Sequence, residues 1–506
     1  MTGKVYLIGA GPGDAGLITL KGLEALRKAD VIVYDHLASD SLLNETKPEA
    51  EWIDAGKYAG NHHMKQREIE KVLIERAGMG MQVARLKGGD PYIFGRGGEE
   101  AMALSAAGVP FTVIPGVSSA YAAAASAGIP VTHRRVASSF HVITGHEDPE
   151  KNGTSLDYGI LAREEGTLIF LMGLARIRNI CRLLMENGKD PETPSAVISS
   201  GTTARQRCVT ASLREIADCA GAAQMKAPAV LLVGDAVKLQ AGIEWQQRGP
   251  LTGKRILVTA SGIIADSLGK MITALGGEPV LMSLIEVKLL DDLCLGQLLN
   301  NSLSDGWIVF TSRNGVQLFF EQMKREKLDV RLLGSKKIAV IGNGTRQALE
   351  SFGYYADLIP EQSCSESLVK ALCCQKGLGH RSNHPERKPE VLLFRAREAS
   401  DVLSGGLWEA GIQYVDIALY ETEKQWKKAG LLNQILEDVD AVTLCSASAA
   451  EAFYDMTAGK EIKAKTVCIG PVTAKAAIDR GIRVDAEAKK YNLDGLMESL
   501  CDIMCP

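Results

Sequence analysis

Short apolar runs alternate with stretches of helical spacing along almost the whole chain. Lys4 to Ile8 reads as a strand entering Gly9-Ala-Gly-Pro-Gly-Asp14, Leu17 to Lys28 has its apolar positions at helical spacing, and Val31 to Tyr34 is the next strand. The same alternation predicts strands at Gln82 to Leu86, Phe111 to Ile114, Phe140 to Thr144, Thr167 to Leu171, Ser195 to Ile198 and Val230 to Val233. After Val237 the pattern gives way to a polar segment punctuated by Gly249-Pro250, read as an interdomain linker over 241–252. Strands resume at Arg255 to Thr259, Trp307 to Phe310, Lys337 to Ile341, Val391 to Phe394, Ala441 to Leu444 and Thr466 to Ile469. The fold class is therefore α/β, in two regions covering 1–240 and 253–506.

Composition narrows the functional classes. A chain of 506 residues exceeds what one hydrophobic core supports, so several domains are expected. Apolar residues make up 46% and charged residues 23%, and no run of about 18 apolar residues occurs, which predicts a soluble, cytoplasmic protein without a membrane partner. Eleven cysteines without a CxxC pair predict reduced thiols rather than a disulfide framework or a metal site. The net charge of −4 argues against a broad nucleic-acid surface. The basic segment 378–390, which carries His380 and His384, is read as a solvated loop in preference to a metal site.

Candidate chemistry concentrates between Val83 and Glu100. A strand breaks there into Gly88-Gly-Asp-Pro91 and then Phe94-Gly-Arg-Gly-Gly-Glu-Glu100. Gly88 and Gly89 let backbone approach a ligand, Asp90-Pro91 sets the turn, and Arg96 and Glu99 stand where a second ligand is read. The loop Gly9 to Gly16 invites a dinucleotide reading. That fingerprint fails where Asp14 replaces its third glycine and Pro12 stiffens the turn, so a nicotinamide-dependent oxidoreductase is the lesser alternative.

These segments, with Tyr34-Asp35, Gly56-Lys57, Pro115-Gly-Val-Ser-Ser119, Ala127-Gly-Ile-Pro-Val-Thr-His-Arg134, Thr144-Gly-His146, Phe170-Leu-Met-Gly-Leu174 and Ser200-Gly-Thr202, resemble the uroporphyrinogen-III C-methyltransferases in order and spacing. The resemblance covers 1–240 and implies a tetrapyrrole methylase fold of two α/β subdomains, usually dimeric. It implies that S-adenosyl-L-methionine methylates two carbons of uroporphyrinogen III, leaving S-adenosyl-L-homocysteine and giving precorrin-2 for sirohaem or cobalamin. Family positions for the donor fall on Pro12, Gly88, Gly89, Asp90, Ile93, Ser118, Ser119, Met172 and Gly201, and those proposed for proton acceptor and donor on Asp35 and Lys57. A macrocycle rich in carboxylates needs cations around it, and Arg96 and Arg134 lie inside the motifs, with Glu99 able to orient Arg96. Arg135 is a further candidate, whereas Lys65 and Arg67 are read as a solvated helix face.

The second region carries Trp307-Ile-Val-Phe-Thr-Ser-Arg-Asn-Gly-Val316, Ile341-Gly-Asn-Gly-Thr345, Val391-Leu-Leu-Phe-Arg395, Val415-Asp-Ile-Ala-Leu-Tyr-Glu-Thr422 and Cys468-Ile-Gly-Pro-Val-Thr-Ala474. Thr-Ser and Gly-Pro-Val-Thr turns after apolar strands cradle anions well, since exposed N–H groups and hydroxyls bond carboxylates. Together these segments resemble uroporphyrinogen-III synthase. The resemblance implies two α/β lobes, 253–286 with 424–506 and 287–423, and cyclisation of hydroxymethylbilane with loss of water and inversion of the terminal ring. Tyr420 matches the tyrosine proposed to activate the departing hydroxyl. One departure is Ala260, where family members often carry arginine, and it keeps open a C-terminal module that binds a tetrapyrrole without converting it.

Overall fold

The computed structural model describes residues 3–35, 39–56, 64–145, 156–243, 245, 249–290, 293–375, 378 and 388–505. Two compact units form, Met1–Ser283 with Lys427–Pro506, and Leu284–Trp426. Four five-stranded sheets carry the described architecture, three in the first unit and one in the second.

The first sheet is built from β1 (Lys4–Gly9), β2 (Val31–Tyr34), β3 (Glu51–Asp54), β4 (Gln82–Lys87) and β5 (Phe111–Ile114), in the order β3-β2-β4-β1-β5. All its pairings are parallel. Helices must therefore cross over between strands, and the central strands are buried on both faces, which is why they read as near-continuous apolar runs. Val5, Leu7, Val31, Val33 and Val83 pack with Leu73 and Leu104 of the helices Gln66–Gly78 and Gly97–Ala106. The first helix runs Leu20–Lys28 rather than from Leu17, because Thr19 caps it by accepting from the Gly22 amide and a 3-10 turn occupies Ala15–Leu17.

The second sheet joins β6 (Phe140–Thr144), β7 (Thr167–Leu171), β8 (Pro194–Ser199), β9 (Arg207–Ser212) and β10 (Ala229–Val233) in the order β6-β7-β10-β8-β9. It is mixed: β10 runs antiparallel to both β7 and β8, and β8 to β9. One face is covered by the helix Ser119–Ser126, whose Ala120, Ala123 and Ala124 pack with Ile169, Ile198 and Leu232. That helix starts directly after β5, so it ties the first sheet's carboxyl edge to the second sheet.

The chain continues through β11 (Arg255–Val258) and β12 (Glu278–Leu281) into β13 (Ile285–Leu289), β14 (Trp307–Phe310), β15 (Lys337–Val340), β16 (Val391–Ala396) and β17 (Tyr414–Lys424), then returns through β18 (Ala441–Leu444), β19 (Lys465–Cys468) and β20 (Ala486–Glu487). In the first unit β12-β11-β18-β19-β20 form a parallel sheet whose core includes Ile256, Val258, Val467 and Leu496. Leu251, at the end of the segment read as a linker, is buried in that core. In the second unit the order is β13-β17-β16-β14-β15, with β13 alone antiparallel. Its strands divide their side chains by the two-residue period: Ile308 and Phe310 face Val316 and Phe319, whereas Trp307 and Val309 face Leu368 and Leu403.

Candidate active sites

At the carboxyl edge of the first sheet the connection leaving β1 runs toward β2 on one side, and the one leaving β4 runs toward β5 on the other. The loops after these adjacent strands meet beyond the carboxyl edge, where open α/β sheets hold ligands in a crevice. Three glycine loops line it at backbone distance. Gly11 and Gly89 bridge each other, the Gly89 amide donating to Gly11 O at 2.7 Å and the Gly11 amide to Gly89 O at 3.3 Å. A Cβ on Gly9 would fall 2.5 Å from Gly116 Cα, so neither position admits a side chain without displacing the other loop. Gly89 itself sits at φ +67 with space beside it up to the Ser119 amide.

Asp90 organises this edge. Its Oδ1 accepts from the Tyr92 amide at 2.8 Å and its Oδ2 from the Gly116 amide at 2.9 Å. Ser118, 2% exposed, caps the helix Ser119–Ser126 by accepting from the Ala120 amide. The loop after β8 reaches the same place from the second sheet: the Asp14 amide donates to Thr202 Oγ1 at 3.2 Å, and a Cβ on Gly201 would lie 2.5 Å from Ala123 Cβ. Alanine at 123 and glycine at 201 permit that approach. The loops of Pro12, Gly88 to Asp90, Ser118 and Ser119, and Gly201 thus meet at one edge.

Ile93 and Met172 are exposed, 39% and 51%. Phe94, Arg96, Met172, Ser200 and Thr202 all take positive φ, a concentration of costly backbone geometry within the expected site segments. Arg96 grips Glu99 with two parallel hydrogen bonds of 2.8 and 2.7 Å. Glu99 raises the Arg96 guanidinium above its ordinary value, and Arg96 lowers the Glu99 carboxyl. Arg134 lies on the exposed turn His133–Ala137 and makes no ion pair among the described residues. Lys57 lies outside the described residues, as do His380 and His384.

Asp35 follows β2, its amide donating to Leu86 O at 3.2 Å and its Oδ1 accepting from Arg85 Nη2 at 2.7 Å. Arg85 belongs to a buried polar group with Lys87 and Glu100 that the apolar pattern did not reveal. Burial, reinforced by the Arg85 charge, pushes the Lys87 ammonium below its ordinary value against the pull of Glu100. Two cations at alternate positions of a strand buried on both faces were the signal, since such charges must find partners.

In the second unit Tyr420, 6% exposed, ends the pairing of β13 with β17, and its hydroxyl lies 2.8 Å from Ser312 Oγ. Ser312 also caps the helix Arg313–Arg325 by accepting from the Gly315 amide. Burial pushes the Tyr420 phenol above its ordinary value, with the Ser312 bond opposing it. Ala260 is 7% exposed and part of the core of the β11 sheet.

Two family models match successive parts of the chain. The family model described as Tetrapyrrole (Corrin/Porphyrin) Methylases matches residues 4–217, and that described as Uroporphyrinogen-III synthase HemD matches 266–498. The Porphyrin biosynthesis protein HemD of Ruminiclostridium josui is 36% identical over 505 residues, 99% of this chain and 98% of its own length. The chain belongs to this family of fused tetrapyrrole methylase and uroporphyrinogen-III synthase. Its methylase half is 49% identical over 247 residues to the S-adenosyl-L-methionine-dependent uroporphyrinogen III methyltransferase of Methanosarcina barkeri, covering 49% of this chain and 97% of that protein. A solved uroporphyrin-III C-methyltransferase of Thermus thermophilus, complexed with S-adenyl homocysteine, is 38% identical over 47% of this chain and 100% of its own, with a TM-score of 0.41.

Within the methylase half, Asp90 and Ser118 have their side chains engaged by backbone amides, and glycines supply the open backbone. Within the synthase half, Ser312 joins Tyr420 as a residue that the motif Thr-Ser-Arg-Asn-Gly carried but that sequence reading did not single out. Among the described residues no group of three metal-ligating side chains occurs, and no helix is long and apolar enough to cross a membrane.

Proposed function

We propose that this chain is a bifunctional enzyme of tetrapyrrole biosynthesis, in which 253–506 cyclise hydroxymethylbilane to uroporphyrinogen III and 1–240 methylate that product twice to precorrin-2. The observation that carries the methyltransferase reading is the backbone junction of Gly11, Gly89 and Gly116, which packs three loops main chain to main chain and keeps open space beside Gly89. S-adenosyl-L-methionine supplies an electrophilic methyl on a sulfonium and leaves as S-adenosyl-L-homocysteine. Pro12, Gly88, Gly89, Asp90, Ser118, Ser119 and Gly201 hold the donor through main-chain groups, and Ile93 and Met172 give it apolar surface. Arg96, oriented by Glu99, and Arg134 bind macrocycle carboxylates. Each alkylation leaves the macrocycle with one positive charge, which it sheds as a proton lost from the ring system and not from the methylated carbon; Asp35 accepts it, and Lys57 acts as proton donor.

In the synthase half Tyr420 donates to the departing hydroxyl, helped by a phenol that burial keeps protonated. Alignment does most of the work in both halves, since neither reaction needs a strong protein nucleophile. We further propose that the protein works in the cytoplasm as a homodimer through its methylase half.

Incubating the pure protein with hydroxymethylbilane tests the reading. The type III isomer should form without donor and precorrin-2 only with it. Type I isomer alone would remove the synthase claim and leave the module that binds without converting; unchanged uroporphyrinogen III with donor present would remove the methyltransferase claim.

A further inference from the structure

Arg85 and Lys87 project from the same face of β4, two residues apart, toward Glu100 of the helix Gly97–Ala106. Glu100 is fully buried. Its Oε1 accepts from Lys87 Nζ at 2.8 Å, Arg85 Nε at 3.1 Å and Gln66 Nε2 at 3.3 Å, while its Oε2 finds no partner among the described residues. Arg85, 2% exposed, also donates through Nη1 to Val33 O at 3.3 Å and Leu86 O at 3.4 Å. Its remaining nitrogen, Nη2, reaches Asp35 Oδ1 at 2.7 Å. With Asp35, the side chains amount to two cations and two carboxylates at the carboxyl edge of the sheet, all but Asp35 sealed from solvent.

Stability alone does not account for such a cluster. Buried ion pairs lose about as much in desolvation as they gain in attraction, and apolar side chains of similar volume commonly serve as well. The direction of the network is more informative. Arg85, Lys87 and Glu100 are at most 3% exposed, whereas the Asp35 side chain is 26% exposed, so the chain of bonds reaches solvent there. Guanidinium suits the task because its planar fork binds Glu100 along the Nε edge and Asp35 at Nη2 together, which a single ammonium does not reproduce. The backbone bond from the Asp35 amide to Leu86 O fixes the other end of the residue.

We infer that Arg85, braced by Glu100, is the positioning residue that holds the Asp35 carboxylate in its proton-accepting orientation. Among the described residues Asp35 Oδ2 accepts no hydrogen bond, so the grip on Oδ1 leaves the second oxygen of a partly exposed carboxylate available to take a proton. The inference rests on the assignment of Asp35 as proton acceptor under Proposed function, and extends it to a second layer of residues.

A double-mutant cycle on the full chain tests it, with methyl transfer to uroporphyrinogen III as the rate and S-adenosyl-L-homocysteine affinity by calorimetry as the check on the donor site. Arg85→Lys keeps the buried positive charge and hence the fold, but gives up the second bond. Its kcat should fall on the order of 10- to 100-fold, the scale of loss from misplacing a reacting group, with KM for uroporphyrinogen III and inhibitor affinity within about twofold. Added to Asp35→Asn, the same substitution should remove less than about twofold more, because two residues acting through one carboxylate are not additive. A wild-type rate for Arg85→Lys, or an equal factor lost in both backgrounds, would overturn the positioning role while leaving Asp35 as acceptor. Full activity of Asp35→Asn alone would instead overturn the acceptor assignment. Glu100→Gln is the second variant: it keeps a hydrogen-bond acceptor for Arg85, and it should slow kcat less than Arg85→Lys does. A larger loss would place the weight on Glu100 and contradict the order proposed.

Discussion

Asp90 and Gly116 are joined by one hydrogen bond, the Gly116 amide donating to Asp90 Oδ2 at 2.9 Å, and that bond closes the gap between the loops after β4 and β5. Asp90 therefore spends one carboxylate oxygen on each side, Tyr92 on its own loop and Gly116 on the next. Gly116 in turn has no room for a side chain, since a Cβ would meet Gly89 O at 2.3 Å and Gly9 Cα at 2.6 Å. The crevice is thus defined by backbone held to backbone.

Gly116→Ala tests how closely donor binding depends on that packing. The clash is with main-chain atoms that no rotamer change relieves, so the loops must separate, at a cost of about 1–3 kcal/mol in stability. S-adenosyl-L-homocysteine affinity should fall at least about tenfold and the melting temperature should drop with it. Calorimetry showing unchanged affinity would contradict the assignment of this edge to the donor.

Arg96→Ala separates the two ligands. Arg96 is exposed, stands at φ 57 at the start of the helix Gly97–Ala106, and among the described residues its side chain hydrogen-bonds only Glu99, so its removal leaves the glycine junction untouched. KM for uroporphyrinogen III should rise on the order of tenfold or more, as expected for loss of a charge-assisted bond to a carboxylate, while inhibitor affinity stays the same. A loss confined to donor binding would move Arg96 to the other ligand.

Much of the fold was legible because parallel strands buried on both faces must be apolar throughout. The runs Val31 to Tyr34 and Trp307 to Phe310 coincide with β2 and β14. The half-exposed edge strands β3, Glu51–Asp54, and β9, Arg207–Ser212, lack that signature and were not anticipated. Strand direction was equally hidden: nothing in Val230 to Val233 distinguishes the antiparallel β10 from its parallel counterparts. At the candidate site the glycines were readable from motif order, but the work of Asp90 and Ser118 in tying loops and capping a helix depends on long-range neighbours. The contact of Arg85 with Asp35, 50 positions apart, is of the same kind.

Thiol reactivity offers a check on burial that is independent of activity. Burial pushes the Cys181 thiol up to about 11 and the Cys445 and Cys468 thiols up to about 12, whereas Cys294 and Cys374 are exposed. Since the thiolate is the reactive species, disulfide-reagent labelling of the native protein at pH 8 should modify Cys294 and Cys374 first and reach the buried Cys181 and Cys468 only on unfolding. Peptide mapping that finds Cys468 modified as fast as Cys294 would show that the core around β19 opens in the native state.

Tyr420→Phe addresses the synthase half without disturbing the methylase half. The hydroxyl it removes touches Ser312, which keeps its bond from the Gly315 amide, so the loss of stability should stay near 1 kcal/mol. Formation of the type III isomer from hydroxymethylbilane should fall at least about tenfold, while methylation of supplied uroporphyrinogen III continues at the normal rate. The pH dependence has a defined sign. Because burial raises the phenol above its ordinary value, the hydroxyl stays protonated through the neutral and mildly alkaline range, and the wild-type synthase rate should show no alkaline loss from this group below about pH 10. A rate that declines with a midpoint near pH 8 in the wild type, and no longer declines in Tyr420→Phe, would mean that the phenol ionises readily and cannot be the neutral donor to the departing hydroxyl.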